Sequence, residues 1–192
     1  MRLNNSAKVS YGVKQLGLAM ILMVATVSMA GADTPEMVSP GIAGEGAVHP
    51  LPQAAYQPQK GASYKVVFSI TKAGDTPQDV SPSLLRVART VNLYVSAGVP
   101  LAHLKFVAVA YGPATGATLD DEHYKVKYGV ANPNLSLIHK LRAAGVDVAV
   151  CGQAVLESKF EYPWISHDVT VALSALTTIT VLQQQGYALM PL

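Results

Sequence analysis

Apolar positions in this chain run in two rhythms. Short blocks of consecutive apolar residues, many of them β-branched, alternate with stretches in which apolar residues return every three or four positions. The blocks Tyr64–Ile70, Leu104–Ala110 and 146–150 predict buried strands. After the first, Ser81-Pro82 offers a cap followed by proline in the first helical turn. Leu84, Val87, Ala88, Val91, Tyr94 and Val95 then form one helical face. Gly98 and Pro100 end that helix, while Arg86, Arg89 and Asn92 fall off the apolar face and are expected in solvent. Asp120-Asp121-Glu122 opens a short helix through Tyr128, where carboxylates suit the helix start. Asn132-Pro133-Asn134 is expected to cap another, with Leu135, Ile138 and Leu141 on its inner face and Gly145 at its end.

The third strand block is followed by Cys151-Gly152 and a further helix from Gln153. A strand around residues 169–171 comes next. Leu173, Leu176, Ile179 and Leu182 predict a last helix stopped by Gly186, and Tyr187-Ala188-Leu189-Met190 a final strand. Strands alternating with helices predict an α/β domain, a three-layer sandwich with a mostly parallel central sheet covered on both faces.

The start of the chain follows neither rhythm. Arg2, Lys8 and Lys14 precede an uncharged apolar run from Leu16 to Val27, and Ala30-Gly31-Ala32 follows as a small-residue exit. Basic start, short apolar core and A-x-A exit predict a signal peptide over residues 1–32, export to the periplasm, and no stable membrane span after cleavage. Residues 33–60 are rich in Pro, Gly and Ala without helical or strand periodicity, which predicts a flexible arm. The folded domain is expected over residues 61–192.

Composition narrows the function classes. Charged residues make up only 14 % of the chain and the net charge is +2, so no basic stripe points to nucleic acid. From Val169 to Leu192 no residue is charged, which predicts core plus an interface between copies. The chain has one cysteine, so an internal disulfide is impossible. The thiol is either inert in the core, an intermolecular partner, or a reactive group. No phosphate-binding glycine loop, haem box or metal-ligand spacing is visible, so no cofactor and no metal is expected. The acids beside His123 read as helix-start charges rather than metal ligands.

Candidate chemistry therefore gathers at the end of the third strand. Carboxyl ends of strands in open α/β sheets are where ligands bind, and Cys151 sits at such an end, at the seam with a helix. Gly152 would let a substrate approach the thiol and Gln153 would donate a hydrogen bond to it. Tyr111 and Gly112, at the end of the second strand, would form the opposite wall. Trp164, in the turn Glu161-Tyr162-Pro163-Trp164, is expected to serve packing more than a ligand. A cysteine hydrolase would need a positioned histidine, and adjacency of His167 and Asp168 in sequence does not orient them as a dyad.

The segment Gly145-Val146 through Cys151-Gly152-Gln153, the stretch from Val107 through Tyr111-Gly112-Pro113-Ala114, and the ending Leu182-Gln183-Gln184-Gln185-Gly186-Tyr187-Ala188 resemble the DsrE/DsrF-like family. The resemblance implies that family's fold, with flavodoxin-like layering. It also implies a persulfide-carrying role for Cys151, a sulfur donor or acceptor protein as partner, and a trimer or hexamer of the chain. The signal peptide is the departure, because the family's sulfur-relay members work in the cytoplasm. The alternative from the residues alone is a non-catalytic oligomeric binding or accessory protein with Cys151 buried and inert.

Overall fold

The computed structural model describes residues 34–192; the expected signal peptide lies outside the described residues. Five parallel strands form one sheet in the order β4-β3-β2-β1-β5, with β1 Tyr64–Ile70, β2 Leu104–Ala110, β3 Asp147–Cys151, β4 Thr170–Ala172 and β5 Ala188–Pro191. The helices are α1 Pro82–Ser96, α2 Asp121–Tyr128, α3 Leu135–Ala143, α4 Gly152–Glu157 and α5 Ala175–Gln184. The expected α/β layering is thus observed, with every strand pairing parallel.

Strand parity builds two unequal cores. Val66, Phe68 and Ile70 on β1, Phe106 and Ala108 on β2, and Val148 and Val150 on β3 point to the face covered by α1 and α3 and form the large cluster with Val87, Val91 and Ile138. The alternate positions Val67, Val109 and Cys151 point to the opposite face, where they meet Ala175, Ile179 and Leu182 of α5. A right-handed crossover explains the split: successive crossovers from β1 to β4 step one way across the sheet, whereas α5 carries the chain back from one edge to the other.

Helix boundaries follow local chemistry. Ser81 caps α1, its side chain accepting from Leu84 N–H at 3.4 Å with Pro82 behind it, and Gly98 ends the helix region at φ +89°. Asp120 caps α2, accepting from His123 N–H at 2.8 Å, so one of the three acids serves the helix start directly. Asn134 sits before α3 but does not cap it. It is buried, and its Oδ1 accepts from Ser81 N–H at 2.8 Å, tying the starts of two helices together.

Three further expectations need correction. Asn92 is wholly buried rather than solvated. Its Oδ1 accepts from Gly41 N–H and Ile42 N–H, each at 2.8 Å, and its Nδ2 donates to Glu45 O at 2.7 Å and Gly46 O at 3.1 Å. The second correction follows from the first: part of the stretch expected as a flexible arm is docked on α1. Ile42 and Val48 are buried, and Val38 and Val48 pair as an antiparallel bridge. One amide side chain satisfies a turn whose backbone groups would otherwise have to stay in water. The third concerns α5, whose inner residues are Ala175, Ile179 and Leu182. Leu173 precedes the helix and Leu176 faces out, leaving them 72 % and 81 % exposed. Among the described residues no helix is long and apolar enough to cross a membrane.

Candidate functional site at the end of β3

Cys151 is the last residue of β3 and the residue immediately before α4. It is only 6 % exposed, and its Sγ accepts weakly from Ala154 N–H at 3.5 Å. Around it the small cluster of the second face supplies Val67, Val109, Ala154 and Ala175, with half-buried Tyr111 against the cluster. This apolar surround leaves the thiol little access to solvent.

Tyr111 reaches this cluster through register. Ala110 pairs with Val150, so the next residues of the two strands, Tyr111 and Cys151, end on the same face. Tyr111 N–H donates to Ile70 O at 3.0 Å, and its phenol shares a 2.8 Å hydrogen bond with Ser69 Oγ. Ser69, Tyr111 and Cys151 therefore come from three adjacent strands to one sheet end. Ser69 was not visible as a site residue in the sequence; its only signal was its odd-numbered place in β1, shared with Val67. Gly112 follows Tyr111 at φ +56°, where the chain turns sharply into a 3-10 stretch over residues 112–118.

Gly152 is surrounded by the protein's own chain. A Cβ there would come within 2.8 Å of Ala172 O and 3.3 Å of the Tyr162 phenol oxygen, so glycine permits close packing of α4 on the end of β4. Gln153 is exposed, and its Nε2 donates to Leu173 O at 3.4 Å across the same seam. Tyr162, which nothing in the sequence singles out, is a neighbour of the cysteine turn. Trp164 instead stacks on His123, with centroids 4.8 Å apart and planes 13° apart. The two aromatic residues share one turn, and only the fold shows which of them meets the cysteine turn.

Histidines do not join the thiol. His139 Nδ1 lies 3.0 Å from Asp168 Oδ2, and His167 Nε2 lies 3.8 Å from Asp168 Oδ1. These three residues line a separate cleft of about 660 Å³ with Ser136 and Ser166. Among the described residues no three His, Cys, Asp or Glu side chains gather as a metal site.

The DsrE/DsrF-like family pattern matches residues 64–192, the stretch that carries all five strands. The chain belongs to the DsrE/DsrF-like family. A solved structure, that of the protein of unknown function MTH1491 from Methanobacterium thermoautotrophicum, is similar in fold at 20 % identity and a TM-score of 0.50, covering 68 % of this chain and 100 % of that one. No curated protein matches the chain. Within the DsrE-like domain, Cys151 occupies a strand end that the parallel sheet shares with Tyr111 and Ala172.

Proposed function

We propose that this DsrE-like protein accepts sulfane sulfur as a persulfide on Cys151 and relays it to an acceptor. The observation that carries this reading is the position of the chain's one cysteine at the carboxyl end of a parallel strand, where the backbone turns into a helix. In the uptake step the Cys151 thiolate attacks the outer sulfur of a donor persulfide. A sulfur–sulfur bond forms to Cys151 while that of the donor breaks, and the donor leaves as a thiolate with the bond's electron pair. Delivery to an acceptor thiolate is the same exchange in reverse, so no external oxidant enters. Tyr111, Gly112, Gly152 and Gln153 shape the turn around the sulfur. Because the thiol is buried, exchange requires the seam between Gly152, Tyr162 and Leu173 to part. The proposal includes export of the protein and assembly as a homo-oligomer. Exposed Leu173 and Leu176 in the uncharged C-terminal segment support such an interface.

Burial of Cys151 favours a second reading, a non-catalytic binding or accessory oligomer with an inert thiol. Intact mass spectrometry after incubation with a polysulfide, beside Cys151→Ser, separates the two. A reducible gain of one sulfur on the wild type alone is the expected result. No gain, together with resistance to maleimide in the folded state, would make the inert reading the correct one.

A further inference from the structure

At the other end of the sheet from Cys151, residues 49–60 fold over the end of α1 and enclose an open cavity of about 1110 Å³. Small-molecule sites enclose about 300–1000 Å³, and this cavity is slightly larger than that range. We infer that it binds a small planar aromatic molecule carrying an anionic group.

The cavity is a built one. Gln57 Nε2 donates to Leu51 O at 2.7 Å and Ala54 O at 3.1 Å, bracing the outer wall. The Tyr64 phenol accepts from Gln59 N–H at 2.6 Å, fastening that wall to the start of β1. The floor is aromatic: Tyr64 and Tyr94 lie with centroids 4.7 Å apart, and Tyr94 leans on Phe106 beneath. At the rim stands Tyr56, whose ring is fully exposed and whose φ of +59° is one that a bulky L residue rarely adopts. A strained backbone that holds an aromatic ring in water beside an aromatic floor is a feature expected of a ligand clamp.

Charge sets the ligand class. Lys60 lines the cavity, and no carboxylate does so among the described residues. Its stem lies against Gly98, where an added Cβ would come 2.9 Å from Lys60 Cε. Among the described residues its ammonium forms no ion pair, which leaves it available to an anionic ligand edge. Rings to stack, a cation to pair and no competing acid together select an aromatic anion over a neutral or cationic compound.

The test is fluorescence titration of the purified full chain with anilinonaphthalene sulfonate, an aromatic anion, and with its neutral analogue N-phenylnaphthylamine. Saturable binding of the sulfonate is expected, with Lys60→Ala weakening it by about threefold and leaving the neutral probe unaffected. Tyr56→Ala should weaken both probes by about fivefold, through loss of a stacking face. Leu176→Ser, at the exposed C-terminal patch, should change neither. Circular dichroism checks that each variant is folded. The proposal is overturned if sulfonate binding does not saturate, if Lys60→Ala leaves it unchanged, or if binding is lost with Leu176→Ser instead.

Discussion

Asn92→Ala is the substitution that most directly tests how the Pro/Gly/Ala-rich segment is held. In the native fold the amide makes hydrogen bonds to two backbone N–H groups and two carbonyls of the turn spanning Gly41 to Gly46. The bond to Ile42 N–H is buried, and stripping its acceptor costs about 2 kcal/mol in lost desolvation compensation. The other three are only partly buried, so water replaces the partner and each loss costs about 0.5 kcal/mol. The sum is about 3.5 kcal/mol. An upper limit comes from letting the turn peel away, which exposes Ile42 and Val48 at about 2 kcal/mol each, or about 4 kcal/mol together. A loss between about 3 and 4 kcal/mol is therefore expected. Urea unfolding at a slope of about 2 kcal/mol/M would show it as a midpoint lowered by about 1.5–2 M. Amide exchange at Ile42 should accelerate in parallel. Lys140→Ala is the contrast: its ion pair with Glu45, 3.1 Å long, ties the same turn to α3 but is open to solvent and should cost under about 1 kcal/mol. An Asn92→Ala variant within about 0.5 kcal/mol of wild type, with Ile42 exchange unchanged, would refute the assignment of this side chain as the anchor.

Two further outcomes are expected. Gly152→Ala should destabilise the fold by about 2 kcal/mol and speed maleimide labelling of Cys151, because its Cβ meets Ala172 O and must push α4 off the end of β4; equal stability with unchanged labelling would show that the seam has room. Burial raises the phenol pKa values of Tyr94, Tyr124 and Tyr128 above the ordinary 10.0, with a neighbouring phenol adding to the effect at Tyr94 and Tyr124. The folded protein then holds these protons more tightly than the unfolded chain. That contribution to stability is complete below pH 10.0 and is lost as pH rises through the native values. Ultraviolet titration should show late-ionising phenols, and Tyr94→Phe should remove one of them; an identical titration curve would contradict the assignment.

Much of this protein was legible in its residues because strands and helices are written in periodicity. Tyr64–Ile70 and Leu104–Ala110 are read from their apolar runs and are the strands observed. Ser81-Pro82, Gly98 and Gly145 mark turns by backbone chemistry that acts over a few residues. The strand-end place of Cys151 follows in the same way, from an apolar run that stops at a glycine. These features are local, so neighbouring residues suffice to determine them.

Tertiary structure alone decided what depends on distant partners. Asn92 looks like a solvated helix residue until the Gly41–Ile42 amides come to it across some fifty positions of chain. The choice between Tyr162 and Trp164 as neighbour of the cysteine turn depends on how one turn sits against β4. The burial of Cys151 was left open by the sequence because the side chains that cover it come from β1, β2 and α5, and α5 reaches them only by crossing the sheet from one edge to the other. Periodicity states which face of an element is apolar. What that face meets is settled by long-range packing, where the shape and hydrogen-bonding needs of separate segments must be satisfied together.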